Sequence, residues 1–187
     1  MLKTTYDRII KLLKDGNGYA SFATLRENKV TVSQMRELEE KGVVERFARG
    51  WYWACGIYDK KPKKYKYIEL CQACPEAVIC GLSACYLNGI IEKEPEVISY
   101  VTDYSSRRTG KMQFDTKKFY HDTSRYGDNI VRKNTKYGQY AYLNTFEAVK
   151  DLVHCQNKVD KEALNEVVMW LEGQTESKYQ ALKSSIK

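Results

Sequence analysis

The chain has 187 residues, of which 43% are hydrophobic and 12% aromatic, and this composition favours a folded core over disorder. Its length allows one large domain or two small ones, and its net charge of +7 suggests an anionic partner. Because the sequence has no early apolar segment and no apolar run of about 18 residues, we expect no signal peptide, no membrane span and a cytoplasmic protein whose six cysteines are reduced.

The positive charge is concentrated in the first third of the chain. Residues 1–56 carry ten basic and seven acidic side chains, and residues 57–68 carry five and one, whereas the remaining residues are close to neutral. This distribution is typical of an N-terminal region that contacts phosphates.

Three helices are predicted near the N-terminus. Apolar residues recur at helical spacing over residues 4–14, and a shorter helix capped by Ser21 follows. Thr31 and Gln34 form a capping-box pattern, in which the two side chains accept hydrogen bonds from backbone N–H groups at the start of a third helix. That helix is expected to end at Gly42, since glycine is favoured just after a helix C-terminus.

Strands follow this helix pair. Residues 43–47 and 51–53 read as two strands joined by a tight turn at residues 48–50. Two short helices, a strand, an arginine-bearing turn and a returning strand predict a winged helix-turn-helix domain over residues 1–56.

In a helix-turn-helix the second helix enters the major groove, while a wing lies over a neighbouring groove or the backbone. With Met35 and Leu38 facing inward, Val32, Ser33 and Arg36 should point outward. Arginine can pair with guanine, and residues at a helix N-terminus can bind phosphate. The predicted DNA-binding residues are Lys29, Thr31, Ser33, Gln34 and Arg36 in the helix pair, and Arg46 and Arg49 in the wing. A winged helix used only for protein contact is the alternative.

A basic segment over residues 57–67 is predicted to be a linker, since it has several lysines, one proline and no periodicity. Its lysines either lie along the DNA backbone or serve only solubility. Residues 68–187 are expected to form an α+β domain. Helices are predicted at 68–74, 82–88, 144–154, from 160 and from 175, and strands at 77–80, 97–101, 112–114, 129–133 and 139–143.

No pattern supports a metal site or catalysis. Cys71, Cys74, Cys80 and Cys85 lack zinc-finger spacing and are expected to be buried structural thiols. Ser83 lacks the G-x-S-x-G elbow of a serine nucleophile. The Asp-x-Asp pair of carboxylates that would hold magnesium is absent, since residues 96–99 read Glu-Val-Ile-Ser, so we predict no catalytic residues, no metal and no cofactor.

Other polar residues are assigned ordinary roles. The two histidines, His121 and His154, are far apart in the sequence, and surface or capping roles are expected for them. Basic pairs at 107–108 and 117–118 are predicted to lie in solvated loops.

Two blocks of sequence carry a family resemblance. A winged helix that ends in Arg-Gly-Trp-Tyr at 49–52, followed by Pro-Glu-Ala-Val-Ile-Cys-Gly-Leu-Ser-Ala at 75–84 and Leu-Asn-Gly-Ile at 87–90, resembles the AbiEi-type antitoxins of AbiE (type IV) toxin–antitoxin systems. The resemblance covers most of the chain and is strongest over residues 18–90.

The resemblance implies a transcriptional autorepressor that binds inverted repeats upstream of its own operon. It also implies a C-terminal domain that neutralises a nucleotidyltransferase-like toxin of an abortive-infection defence against phage. Whether this domain contacts the toxin directly is left open. Lys29, Thr31, Ser33 and Arg36 match the family's recognition positions, and Arg46 and Arg49 match its wing. Two copies would act as a homodimer or bind DNA cooperatively.

Two other functions remain open from the sequence. One is a winged-helix regulator whose C-terminal domain senses a small ligand. The other is a nucleotidyltransferase with a DNA-targeting module, against which the missing carboxylates argue.

Overall fold

The computed structural model describes residues 1–103, 111–120, 122–154 and 160–186. The architecture is α+β, as predicted, with N-terminal helices and a small antiparallel sheet followed by a mixed five-stranded sheet with helices. Two compact units divide the chain. The first comprises Met1–Pro75 with residues 111–113 and Asn134–Gln139, and the remaining described residues form the second.

The three predicted N-terminal helices are present. They are α1 (Lys3–Asp15), α2 (Phe22–Glu27) and α3 (Val32–Glu40). Each turns one apolar stripe toward a shared core, because apolar side chains three or four positions apart lie on one helix face. The fully buried members of this core are Ile9, Leu13, Leu25, Met35 and Leu38.

A three-stranded antiparallel sheet completes the winged-helix-like part. Its strands are β1 (Tyr19–Ser21), β2 (Glu45–Ala48) and β3 (Trp51–Trp53), in the order β1-β3-β2. The hairpin of β2 and β3 is the predicted wing, and Gly50 takes a left-handed φ of +76° in its turn. Strand β1 was not predicted, because three residues carry too little pattern and its partner β3 lies 30 positions away.

The first unit extends past the predicted linker. Helix α4 (Tyr65–Ala73) begins inside the segment assigned to the linker and belongs to the first unit, whereas the sequence placed residues from 68 onward in the C-terminal domain. Five consecutive residues of this helix, 67–71, are buried. These residues are buried by packing within the first unit. The lysine-rich stretch just before them gives no local signal of that packing, so the sequence indicates a linker there.

The five-stranded sheet has the order β6-β5-β4-β8-β7. Strands β4 and β5 are antiparallel, while β5 pairs with β6, and β4 with β8, in parallel. The strands are β4 (Val78–Ile79), β5 (Ile98–Thr102), β6 (Thr116–Tyr120), β7 (Ile130–Thr135) and β8 (Gly138–Leu143).

Strand β6 corrects two predictions. The strand expected at 112–114 is wrong, since the pairing with β5 runs from Thr116 to Tyr120. Lys117 and Lys118 therefore lie in an edge strand and not in a loop. Lysines are common on edge strands, where they discourage pairing with other chains, so a pair of lysines is compatible with a strand as well as with a loop.

The helices of the second unit agree with prediction. They are α5 (Gly81–Leu87), α6 (Thr145–His154), α7 (Lys161–Glu172) and α8 (Ser177–Lys183), with an unpredicted 3₁₀ helix at Thr123–Asn129. Asn144 and Asp160 cap α6 and α7 through hydrogen bonds from the Glu147 and Ala163 amides.

Among the described residues, no helix has the length and apolar character needed to cross a membrane.

Candidate nucleic-acid interface

Side-chain hydrogen bonds hold both ends of α2, the helix that leads into the turn before α3. Ser21 Oγ accepts a hydrogen bond from the Thr24 amide at 3.0 Å, and Asn28 Nδ2 donates to the Thr24 carbonyl at 2.9 Å. Lys29 follows in the left-handed region with φ of +59° and is exposed. The structure thus places the first predicted DNA-binding residue at the apex of the turn.

The predicted capping box is confirmed at the start of α3. Gln34 Oε1 accepts from the Thr31 amide at 2.9 Å, and Thr31 Oγ1 accepts from the Gln34 amide at 3.3 Å. The side-chain carbonyl of Gln34 is therefore used by the cap, which leaves its NH₂ group as the part suited to a ligand. Thr31 is similarly committed as an acceptor, but its hydroxyl proton remains a donor.

The orientation predicted for α3 is also observed. Met35 and Leu38 are fully buried, while Ser33 and Arg36 are exposed on the opposite face. Val32, the first residue of the helix, is 60% exposed. Lys29 in the turn and Ser33 and Arg36 in the helix are thus exposed to solvent and carry two cationic groups.

The C-terminal half of α3 is acidic, with Glu39 and Glu40 exposed. Glu37 accepts from Lys41 Nζ at 2.6 Å and from the Met1 amino group at 3.1 Å, and these contacts lower the pKa of its carboxyl. Among the described residues, Glu37 is the one of these three glutamates that forms ion pairs. A polyanion would therefore approach the N-terminal half of the helix, since exposed like charges repel.

The wing carries the two predicted arginines. Arg46 lies in β2, and its Nε donates to the Ala48 carbonyl at 3.4 Å, while Arg49 is exposed in the turn. Gln113 Nε2 donates to the Arg46 carbonyl at 2.9 Å, which ties a distant segment of the chain to the wing. Both arginines are exposed to solvent, as phosphate contacts require.

Lys61 corrects the prediction of a fully solvated basic segment. Its Nζ lies 2.9 Å from Glu45 Oε1 in β2 and 2.9 Å from Glu69 Oε1 in α4. Tyr19 OH donates to the same Glu69 oxygen at 3.3 Å. Lys61 therefore joins the wing to α4, and it is not available to bind DNA.

Burial controls the acid in this network. Glu69 has no exposed surface, and burial raises its pKa to about 7 despite the neighbouring lysine. Partial burial lowers the pKa of Lys61, but its contacts with the carboxylates of Glu45 and Glu69 outweigh this effect. The pKa of Lys61 is therefore raised, and the side chain stays protonated. The sequence contains one signal for this arrangement: Glu69 interrupts an otherwise apolar run at 67–71.

No other described cluster suggests chemistry. The four cysteines at 71, 74, 80 and 85 are buried as predicted, and the described residues contain no group of three metal-ligating side chains. Burial raises the pKa of Cys85 to about 12, which makes this thiol a poor nucleophile. Ser83 is buried, and its Oγ accepts from the Ser99 amide at 3.0 Å.

Two of the remaining sequence predictions have separate outcomes. His154 is exposed at the end of α6, and its Nδ1 lies 2.7 Å from the Lys150 carbonyl, in agreement with a surface or capping role. His121 and the basic pair at 107–108 lie outside the described residues.

Comparison with known proteins shows a likeness in fold. No protein-family model and no curated protein matches the chain. The chain is similar in structure to the RV2827C protein from Mycobacterium tuberculosis, with a TM-score of 0.55 and 12% sequence identity over 100% of this chain and 83% of that one. At this identity the likeness shows the fold alone.

Proposed function

We propose that the protein binds double-stranded DNA through α3 and the wing and represses transcription of its own operon. The supporting observation is the division of α3, whose buried Met35 and Leu38 fix a solvent face that carries Ser33 and Arg36. A winged helix binds DNA through its recognition helix and its wing. In this chain the corresponding parts are α3, whose first half is polar and basic, and the basic hairpin that follows it in the sequence.

The proposal assigns different tasks to different side chains. Arg36 pairs with a guanine, and Ser33 reaches a base or a phosphate. Lys29, Thr31 and the Gln34 NH₂ group bind phosphates near the helix N-terminus, where backbone N–H groups favour anions. Arg46 and Arg49 bind the backbone beside the wing.

One winged helix offers few base contacts, so we further propose two copies on an inverted repeat, as a homodimer or through cooperative binding. We also propose that the second unit acts as an antitoxin against a nucleotidyltransferase-like toxin in phage abortive infection. This part is supported by the resemblance of residues 75–84 and 87–90 to AbiEi-type antitoxins. The commitment of Ser83 Oγ to the β5 backbone supports a non-catalytic role for that unit.

The test of DNA binding is a titration of the full chain on DNA upstream of its own gene, with random competitor at near-physiological salt. Wild type should bind an inverted repeat, and Arg36→Ala should lose about 1–3 kcal/mol on that site while keeping its affinity for random DNA. Lys161→Ala, which removes an exposed cation from α7, is the matched control and should leave both affinities unchanged. Equal losses on specific and random DNA would contradict the role of Arg36.

The test of antitoxin activity is co-expression with the neighbouring gene. The full chain should restore growth when that gene is toxic, and it should do so even as Arg36→Ala, because neutralisation is assigned to the second unit. Growth arrest that the wild-type chain fails to relieve would exclude the antitoxin role and leave the DNA-binding proposal in place.

A further inference from the structure

Val32 occupies a position that folding alone does not explain. It is the first residue of α3 and is 60% exposed, although the helix buries its own apolar stripe through Met35 and Leu38. Val also has a lower helix propensity than lysine, arginine, glutamine or glutamate, because its branched side chain loses rotamer freedom in a helix. An exposed valine here therefore adds little to the stability of the helix.

The same position is unusually well fixed. Val32 lies between the two capping-box residues, and the reciprocal bonds of Thr31 and Gln34 hold the backbone on both sides. Branching at Cβ leaves valine one strongly preferred rotamer in a helix. Its two methyl groups are thus presented to solvent in a defined orientation and would lose little conformational entropy on contact with a ligand.

Val32 lies on the same helical stripe as Arg36, four residues further on, and both are exposed. Four residues of helix rise about 6 Å, which corresponds to about two base-pair steps of roughly 3.4 Å. A helix that places Arg36 against a guanine would therefore bring Val32 to a base pair one or two steps away. In the major groove, the apolar group that distinguishes one base from the others is the C5-methyl of thymine.

We propose that Val32 contacts the C5-methyl group of a thymine located one or two base pairs from the guanine bound by Arg36. This inference rests on the proposed DNA binding and adds a specificity residue to it. It predicts that the preferred half-site contains a thymine whose methyl group is recognised independently of its hydrogen-bonding groups.

The experiment begins with selection of duplexes from a random pool by the full wild-type chain. Each thymine of the enriched duplex is then replaced in turn by deoxyuridine, which lacks only the C5-methyl group. Affinities are measured for the wild type, Val32→Ala and Met169→Ala. Alanine is the best helix former, so Val32→Ala should fold. Met169→Ala removes an exposed apolar side chain from α7 and serves as the control.

At one thymine of each half-site, deoxyuridine should weaken the wild type and Met169→Ala about fourfold, as expected for loss of one buried methyl group. Val32→Ala should bind the two duplexes equally. If Val32→Ala keeps the wild-type preference for thymine, or if no thymine shows it, the inference is wrong while DNA binding stands. If no sequence is enriched, the proposed DNA binding fails and the inference fails with it.

Discussion

At the scale of single residues, two side chains of the first unit occupy positions that cost folding free energy. Lys29 adopts a left-handed backbone conformation, which residues other than glycine, asparagine and aspartate rarely take. Glu69 is a fully buried acid held by Lys61 and Tyr19. The strained backbone of Lys29 is compatible with a role in DNA binding. The buried charge of Glu69 is compatible with a role in holding the wing.

Replacing Lys29 with glycine should separate stability from DNA binding. Relief of the left-handed strain, set against the greater flexibility of unfolded glycine, should leave the variant up to about 1 kcal/mol more stable in chemical denaturation. Its affinity for all DNA sequences should fall, and the salt dependence of binding should lose about one counterion. Lys11→Gly, in the interior of α1, should instead be about 1 kcal/mol less stable.

Glu69 should make stability depend on pH near neutrality. Because its pKa in the folded protein is raised to about 7 from 4.5, the folded state holds the proton more tightly than the unfolded state. The contribution of Glu69 to stability should therefore fall as pH rises from about 4.5 to about 7. The difference in unfolding free energy between wild type and Glu69→Gln, measured by denaturant titration at several pH values, should follow this slope.

Glu37 gives a control of opposite sign. Lys41 and the Met1 amino group lower its pKa, so its contribution is present above the ordinary pKa of a glutamate and is lost as pH falls. Glu37→Gln should therefore remove a contribution that increases with pH. An identical pH profile for the two variants would show that the assigned environments are wrong.

At the scale of elements, α3 is short and depends on its cap. Nine residues are too few for a stable isolated helix, so the capping box and the buried Met35 and Leu38 must hold it. The N-terminal half of this helix carries most of the predicted DNA-binding residues. Fraying of the cap would therefore disturb the proposed interface directly.

Thr31→Ala should lower the free energy of unfolding by about 1 kcal/mol, because the backbone N–H of Gln34 loses its hydrogen-bond acceptor. It should also weaken specific DNA binding, whereas Thr31→Ser should preserve both. Ser21→Ala removes the equivalent cap from α2 and should destabilise by a similar amount with a smaller effect on affinity. Thermal unfolding and the upstream-DNA titration measure the two effects, and equal affinity losses from both cap variants would count against a special role for α3.

At the scale of the whole molecule, the excess positive charge lies in the winged-helix-like region and in the basic segment after it. The structure divides the lysines of that segment by role. Lys61 is half-buried between two carboxylates, whereas Lys60 and Lys63 are exposed. Only the exposed members can add sequence-independent attraction to phosphates.

The double variant Lys60→Ala, Lys63→Ala should keep its stability, weaken binding to specific and random DNA alike, and flatten the salt dependence by up to about two counterions. Lys61→Met should instead destabilise the protein by about 3 kcal/mol, because Glu69 loses its buried partner. Affinity measured against salt concentration, with chemical denaturation of each variant, tests the division. A stable Lys61→Met with reduced affinity would reverse the roles.

Local patterns in the sequence determined the helices, their caps and the wing. The Thr31 and Gln34 box, the inward Met35 and Leu38, and the glycine turn at Gly50 follow from contacts within a few residues. Such contacts depend on the spacing of side chains along the sequence, so the sequence by itself predicts the solvent face of α3.

Contacts between distant segments were decided only by the tertiary structure. Strand β1 exists because it pairs with β3, and β6 because it pairs with β5. Lys61 reads as one of five solvated lysines until Glu45 and Glu69 are brought to it from 16 residues before and eight after. Strand pairing and the burial of charge depend on the free energy of partners far along the chain, and local spacing carries no record of those partners.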